Sequence, residues 1–587
     1  MKTYGWKGSI IEFIQEKPED IVHELCLYVY EQPETELRNH NQEHISQVDA
    51  WYDSITFLRG ELEQLAPIEG ALIWEYSLPR EKGRRPDVLV LLPGELLVLE
   101  FKRYVEIHES EYNQASFYVR DLKEYHSAVQ ECSLKVRGAL VITQELSYPL
   151  QGIEAYQIYR VGRGGLAKLI HSVIAKSDGT LPIVDQEFVE GIFQPLPSII
   201  ESAKSIMRNE PLPVIRSIKS SNFESVLQEV VHIAEQAEQE GSHHLVLVAG
   251  VPGAGKTYVG LTLAHELQDA VYVSGNGPLV DVLQDTLKTK AFVQSLYGYK
   301  MDYLNRRKVP KEHIIIFDEA QRAWDATQMK RDVSEPEVII EIAQTKPWSV
   351  VVGLIGTGQH IHLGEERGIS LWNVAIRDKQ VFVHGKDYKD QFPHTFRYID
   401  HSHLHLNVSL RTHAAAMYHE WVELLLEGQF EQCRELKKTL QAHRYTIKHM
   451  ERIEDAIQYV QRMYEGTNKT YGVVLSSGAR APSNLQHLPK AERYQRPIPH
   501  VAYYNYPDSA YYCRNLRYGA SEFQVQGLEL DMAILYWGED LMWTSNGWSY
   551  KKLRTDANHP EQLKQNAYRV LLTRGRDGII IVDGPRM

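Results

Sequence analysis

The chain has 587 residues, more than one hydrophobic core ordinarily serves, so about two to four domains are expected. With 43% apolar and 24% charged residues it has the composition of an ordinary globular protein, and no stretch approaches the roughly 20 apolar residues of a membrane span, which argues against a membrane protein. A formal net charge of −13 repels a polyanion globally, so any nucleic-acid binding must come from local basic surfaces.

The opening MKTYGWKGSIIEFIQEKPED has no signal-peptide apolar run, giving the expectation of a cytoplasmic location. Cys26, Cys132, Cys433 and Cys513 form no CxxC pair, which argues against a disulfide frame, a zinc ribbon or an iron–sulfur cluster. Residues 1–65 read as helical, because VHELCLYVY and VDAWYDSITFLRGELEQL carry apolar residues three and four apart. The strand ALIWEYSL follows.

From Asp87 to Lys102, DVLVLLPGELLVLEFK gives two apolar runs about Pro93-Gly94, the signal of a tight turn between buried strands. Asp87 and Glu100 are symmetric about that turn and would face each other with Cβ atoms about 4.5–5.5 Å apart. Two carboxylates so placed repel unless a cation lies between them, and Mg²⁺ prefers hard oxygen ligands. Lys102 projects from the face of Glu100 and could stabilise a pentavalent phosphate. A helix over 109–132 comes next, with Gln114 and Tyr118 four apart on one face, then the strand GALVIT. The basic run Arg80, Lys82, Arg84, Arg85 beside the carboxylates suits a phosphodiester.

Asp87…Glu100-Phe101-Lys102 resembles the PD-(D/E)XK nuclease signature, and Gln114…Tyr118 resembles the QxxxY motif of its RecB-like members. The resemblance implies a Mg²⁺-dependent nuclease that also accepts Mn²⁺, with Asp87 and Glu100 on the metal. Glu75 is a candidate upstream acid, and Glu61 or Glu63 would serve as well. This α/β domain is expected over 1–205. Residues 206–222, with two prolines and no periodicity, are the expected linker.

Beyond the linker, HLVLVAG, AVYVSG, HIIIFDEA, WSVVVGLIG, YGVVLSSG, LDMAILYWG and DGIIIVDG alternate with helical patterns. Such alternation predicts doubly wound parallel sheets, arranged as two domains over 223–385 and 386–587. GVPGAGKT, Gly250 to Thr257, fits the phosphate-loop pattern between a strand and a helix. Backbone N–H groups around Gly250, Gly253 and Gly255 would wrap a phosphate, Lys256 would reach the β- and γ-phosphates of ATP, and the Thr257 hydroxyl would bind Mg²⁺. Asp318 and Glu319 end the strand HIIIF at a sheet's carboxyl edge, Asp318 for the Mg²⁺ shell and Glu319 for the attacking water. Residues 286–311 hold Lys288, Lys290, Lys300, Arg306, Arg307, Lys308 and Lys311 against Asp302, interleaved with Phe292, Tyr297, Tyr299 and Tyr303. That mixture suits backbone attraction with base stacking, although the aromatics serve a packed helical face equally well.

Together these motifs resemble superfamily 1 helicases, specifically the Schlafen group-3-like DNA/RNA helicase domain family, over about residues 220–587. VSGNGPLV resembles the family's strand-touching loop, and GLIGTGQHI its third motif, with Gln359 sensing the γ-phosphate. Gly356-Thr357 stands where the family usually has glycine-aspartate. LNVSLRT resembles the fourth motif and implies an arginine finger at Arg411. QVQGLELD places Glu529 toward the ribose. YRVLLTRGRDG implies a second finger at Arg574, with Arg569 a near alternative. The resemblance implies two RecA-like lobes that close on ATP and ratchet a strand. His401, His403 and His405, with His394 and His413, read as solvated polar residues, because no acid or cysteine completes a zinc site in the sequence.

The leading expectation is an ATP-driven translocase or helicase with a nuclease that cuts DNA, as a single strand or a duplex with a single-stranded end. By family analogy its setting is prokaryotic defence against phage DNA, or repair. RNA is the alternative substrate, and an ATP-gated nucleic-acid sensor with an inactive nuclease-like module the alternative class.

Overall fold

The computed structural model describes the chain apart from residues 1, 32–40, 66, 80, 146–150, 154–156, 176–184, 196–197, 208–221, 251–253, 291, 307, 324–332, 357–367, 407–414, 493–494, 554–558 and 586–587. It divides into two compact units. The first comprises Met1–Pro195, Lys438–Thr446 and Glu454–Lys469, and the second Leu196–Lys437, Ile447–Ile453 and Thr470–Met587.

In the first unit, β1 (Trp6–Ser9), β2 (Ala71–Trp74), β3 (Val88–Leu92), β4 (Glu95–Lys102), β5 (Lys135–Ile142), β6 (Gln151–Ile153) and β7 (Ile158–Val161) form one sheet in the order β1-β2-β3-β4-β5-β7-β6. The first four strands are antiparallel neighbours, whereas β4, β5 and β7 run parallel. Val88, Val90, Leu97 and Leu99 pack on one face with Leu25, Trp51, Leu58 and Ile170 from three helices. Leu89, Leu91, Leu96 and Val98 pack on the other with Tyr118, Val119 and Leu122 of the helix Glu109–Tyr125. Burial on both faces is why these strands read as continuous apolar runs rather than alternating ones.

Two expectations need adjusting here. The N-terminus opens on β1, not a helix, because Trp6 pairs in register with Trp74 and sets its ring edge-on to Phe13. The helix over 109–132 breaks at His126, whose buried ring bonds the Tyr76 hydroxyl at 3.0 Å and stacks on Phe188.

The unit also recruits residues expected in the second lobe. The Arg444 guanidinium donates to the Ser116 carbonyl at 3.2 Å, Asn113 Nδ2 to the Tyr459 hydroxyl at 2.7 Å, and Lys469 Nζ lies 2.6 Å from Glu81. These bonds join chain segments more than 300 residues apart in sequence.

The second unit holds two sheets. One contains β8 (His243–Gly250), β9 (Ala270–Ser274), β10 (Val293–Ser295), β11 (Ile314–Asp318), β12 (Ser349–Gly356), β13 (Val381–Gly385), β14 (Arg397–Asp400) and β15 (His405–Leu406). Its order is β10-β9-β11-β12-β8-β13-β14, all parallel, with β15 beside the last two residues of β8. Strands β14 and β15 thus belong to this sheet, which extends it past the expected junction at 385. Ile339, Trp372 and Ile376 close one face, and the helices Phe223–Glu240 and Lys256–Glu266 pack on the other.

The other sheet is built from β16 (Thr446–Met450), β17 (Tyr471–Leu475), β18 (Gln486–His487), β19 (Tyr518–Ala520) and β20 (Leu530–Tyr536), with β21 (Leu541–Thr544) and β22 (Gly547–Tyr550) forming a separate hairpin before β23 (Gly575–Val582). Its order is β16-β23-β20-β17-β19-β18. The expected linker lies mostly outside the described residues, and the helix Ile199–Met207 before it already belongs to the second unit.

Candidate functional site

The first parallel sheet brings the ends of β8, β11 and β12 together at its carboxyl edge, where open α/β sheets bind ligands. Gly250 ends β8, and Gly255, at φ 84°, caps the helix that begins at Lys256, a backbone shape that favours glycine. Gly253 lies outside the described residues. The Lys256 amine donates to the Gly250 carbonyl at 2.8 Å. Asp318 ends β11 with 4% exposure and accepts from the Ser274 hydroxyl at 3.4 Å.

Glu319 follows in a left-handed conformation at φ 55°, which turns its carboxylate toward Gln321. Gln321 connects two strand ends: its Nε2 donates to Glu319, and its Oε1 accepts from the Gly356 N–H at 2.8 Å. A Cβ at Gly356 would stand 3.3 Å from Lys256 Cε and 3.5 Å from Glu319 Oε2, so the bare glycine lets β12 approach both groups. Lys256, Glu319, Gln321 and Gly356 therefore meet in one place, with Trp372 Nε1 donating to the Ala320 carbonyl from behind at 2.8 Å. Gln321 directly follows HIIIFDEA in the sequence, where no pattern assigns it a role.

A second group absent from the sequence reading is Tyr272 on β9. Burial, and next the Asp318 carboxylate, push its phenol well above the usual range, and the Thr257 hydroxyl also faces it. Thr257 and Asp318 thus border one buried hydroxyl, and that hydroxyl has no hydrogen-bond partner of ordinary geometry among the described residues. An orphaned polar atom between a threonine hydroxyl and an aspartate is the donor set expected of a hydrated Mg²⁺ site, so the residues present fit a nucleotide-bound cation.

The resemblance-derived sensors are less uniformly placed. Gln359 and Arg411 lie outside the described residues. Glu529 sits 3.8 Å from the Arg576 guanidinium. Arg574 needs a correction. It is 2% exposed, and its guanidinium donates to the carbonyls of Val570, Val525 and Leu528 and to the Thr573 hydroxyl at 2.7–3.1 Å. In this arrangement it ties the helix Pro560–Leu572 to the turn before β20, the work of a structural arginine. The alternative, Arg569, is paired with Glu423 at 2.6 Å.

Several cations of the basic insertion are paired with acids. Lys300 pairs with Glu335 at 2.7 Å, Arg306 and Lys308 share Asp302, and Lys288 bonds Asp285. Tyr299 is a core residue at 0% exposure against Tyr303, leaving Tyr297, 74% exposed, as the open ring. Arg307 lies outside the described residues.

In the first unit, β3 and β4 pair with Leu92 opposite Glu95 and Val88 opposite Leu99, which sets Asp87 level with Glu100 as the turn symmetry predicts. Gly94, at φ 68°, supplies the positive-φ position of the turn. Asp87 Oδ2 accepts from the Phe101 N–H at 2.7 Å, and Lys102 Nζ donates to Glu100 Oε1 at 3.2 Å. Glu100 Oε2 is buried with no partner among the described residues.

Burial, then the charges of Glu100 and Glu75, raise Asp87 well above the usual carboxylate range. Burial likewise raises Glu100, against the pull of Lys102. Burial opposes the Lys102 charge, but Glu100 and Asp87 outweigh it and hold the amine protonated. Tyr118 is buried behind Glu100, with Gln114 bonded to its hydroxyl, so the two helix residues do face the carboxylates.

Of the candidate upstream acids, Glu75 lies beside Asp87. Its amide donates to the Asp87 carbonyl at 2.9 Å, and its carboxylate takes Trp51 Nε1 at 2.8 Å and Arg85 Nε at 3.2 Å. Glu61 instead accepts from the Gly164 and Ala167 amides at a helix N-terminus, and Glu63 is exposed. Arg84, expected near substrate, is a core ion bound to Asp121 and Glu81. Although burial raises Asp121, Arg120 and Arg84 bring it down to about 2. Arg80 lies outside the described residues. Among the described residues no set of three or more His, Cys, Asp or Glu is arranged to hold a metal. Two carboxylates with one open oxygen remain compatible with Mg²⁺, which keeps several waters and needs only one or two carboxylates.

The histidine expectation changes as well. His401 is no solvated residue but part of a chain in which His244 bonds His384 at 2.8 Å, His384 bonds His401 at 3.0 Å, and His401 bonds Glu229 at 3.0 Å. Burial lowers His244 to about 4 and His384 to about 3, so these rings are neutral. The acid that ends the chain, Glu229, comes from the helix Phe223–Glu240, remote in sequence from these histidines.

No match is found among curated proteins. The Arterivirus nonstructural protein 10 helicase, solved with DNA, shares 13% identity over 58% of this chain and 60% of its own, with a TM-score of 0.22. This chain thus spans less than two thirds of that relative. The Pif1 helicase from Bacteroides, solved with ADP-AlF3 and ssDNA, shares 10% identity over 62% and 92% of the two chains, TM-score 0.28. The Candida albicans Pif1 helicase shares 11% over 62% and 94%, also at 0.28. The sequence profile of the Schlafen group 3 DNA/RNA helicase domain matches residues 243–583, more than half of the chain and the whole span of both parallel sheets. By that match the chain belongs to the Schlafen group 3 DNA/RNA helicase domain family.

Proposed function

We propose that this protein is an ATP-driven nucleic-acid translocase or helicase whose first unit cleaves phosphodiesters with a divalent cation, acting on DNA. The observation that carries the motor reading is the convergence of Lys256, Thr257, Asp318, Glu319, Gln321 and Gly356 within the span matched by the helicase-domain profile. Lys256 leaves the Gly250 carbonyl to neutralise the β- and γ-phosphates. Thr257 and Asp318 would hold Mg²⁺, which would supply positive charge to offset that developing on the phosphates. Glu319 orients the attacking water, and Gln321 fixes the Glu319 carboxylate while reading β12 through the Gly356 amide.

The nuclease reading is supported by the level Asp87–Glu100 pair, whose raised carboxyls call for a cation, and by Lys102, held charged beside them. In that reading Asp87 and Glu100 hold the metal, Lys102 faces the phosphate, and Gln114 with Tyr118 backs the site. Family analogy suggests anti-phage defence or repair as the setting. One observation favours a sensor with an inactive module instead: both oxygens of Glu75 are already engaged by Trp51 and Arg85.

Labelled single-stranded and forked DNA and the matching RNAs, incubated with and without ATP and Mg²⁺, test the proposal. Severalfold stimulation of ATP hydrolysis by strand, lost in Lys256→Ala, supports the motor. Cleavage lost in Asp87→Ala and Lys102→Ala while ATP hydrolysis survives supports the nuclease. Hydrolysis indifferent to every strand refutes the motor, and cutting that persists in both variants refutes the site.

A further inference from the structure

The face of the first parallel sheet turned to the helix Lys256–Glu266 carries two features that stability does not explain. Tyr272 is 0% exposed, and its hydroxyl closes no hydrogen bond of ordinary geometry among the described residues, a destabilising state for a buried polar group. Gly260 sits in the interior of that helix, where glycine is unfavourable. The two are linked. A Cβ on Gly260 would stand 2.9 Å from Tyr272 Cε2 and 2.8 Å from Leu354 Cδ1, closer than real contacts allow, so the glycine makes room for the tyrosine ring. A smaller apolar residue at 272 would remove both penalties.

What the arrangement achieves is the delivery of a hydroxyl to the space bordered by the Asp318 carboxylate and the Thr257 hydroxyl. Ser274, two residues on and on the same face of β9, delivers a second hydroxyl to Asp318 at 3.4 Å. A Mg²⁺ held there by Thr257, Asp318 and phosphate would keep water ligands, whose free hydrogen-bonding groups would need partners in the next layer of protein.

We propose that Tyr272 is a positioning residue for the nucleotide-bound cation, its hydroxyl bonding a water ligand of the ion that Thr257 and Asp318 anchor. The inference rests on the nucleotide-binding reading of the cleft and adds a residue to it. Gly260 is part of the same device, since only with a bare Cα there does the ring reach the site.

The test uses full-length Tyr272→Phe, which deletes one oxygen and keeps the ring. Binding of a fluorescent ADP is measured in EDTA and across a Mg²⁺ titration, together with melting temperature without nucleotide. The expected result is wild-type ADP affinity in EDTA, an unreduced melting temperature, and a Mg²⁺ concentration for half-maximal tightening raised about tenfold. An unchanged Mg²⁺ requirement overturns the proposal, as does a lowered melting temperature with equal loss of ADP affinity in EDTA, which marks a structural hydroxyl. If the wild-type protein binds no ADP at all, the nucleotide reading itself fails, a result distinct from either.

Discussion

Asp87→Asn is expected to make the protein more stable while abolishing cleavage. Asp87 lies level with Glu100 across a two-residue turn, which sets their Cβ atoms about 5 Å apart, and two unit charges at about that distance in an effective dielectric of about 20 repel by roughly 3 kcal/mol. Lys102 attracts both acids and offsets most of that repulsion, so the net relief is about 1 kcal/mol. The asparagine carbonyl can still accept from the Phe101 N–H, so the bond that positions the side chain survives. Because the folded-state pKa of Asp87 is raised, its contribution to stability is fully present below its unfolded value of about 3.9 and is lost as pH rises through the higher folded value. The variant's advantage should therefore widen as pH approaches neutrality.

The assay is thermal melting without nucleotide, at several pH values, in EDTA and in MgCl2 or MnCl2. In EDTA near pH 7.5 the variant should melt about 2–4 °C higher. Added cation should raise the wild type toward or past it and leave the variant unmoved, because a ligand stabilises only the form that binds it. A variant that melts lower in EDTA at every pH, or one stabilised by cation as much as the wild type, refutes the metal-pair reasoning.

Lys256→Ala should abolish the melting increment given by Mg²⁺-ADP, read by scanning fluorimetry, since the phosphate contact at the loop is lost. Gln321→Ala should lower the kcat of ATP hydrolysis about tenfold with nucleotide affinity retained, because Glu319 loses its anchor while Lys256 keeps its place. The His244 and His384 rings stay neutral in the folded protein, with values near 4 and 3, whereas unfolded histidine takes its proton near 6.5. Stability should accordingly fall as pH drops from about 6.5 toward 4, and His384→Leu should flatten that slope in urea titrations. Arg574→Ala should destabilise the second unit by at least about 2 kcal/mol by leaving the Val525 and Leu528 carbonyls short of donors, read as a lowered urea midpoint.

The sequence by itself determined the features that depend on local order. GVPGAGKT between a strand and a helix fixes the phosphate loop, because such a loop is built from consecutive backbone amides. Asp87 and Glu100 could be paired from the page because a two-residue turn sets hairpin register, and the structure keeps that register to the residue. The seven apolar runs of the second unit all became parallel strands, since burial on both faces leaves a run that needs no partner to be read.

Tertiary structure decided whatever depends on groups remote in the chain. Glu75 and Glu61 were equal candidates in sequence. Packing gave one to Trp51 and Arg85 beside Asp87 and the other to a helix N-terminus more than 100 residues later. Arg84, Arg574 and Tyr299 matched functional patterns, yet their burial and saturated contacts make them part of the core. The assignment of Lys438–Thr446 and Glu454–Lys469 to the first unit, the Gln321 bond to Gly356, and the line from Glu229 through three imidazoles have no signature in periodicity or spacing. Periodicity reports which face of an element is buried, but only the packed chain shows against what.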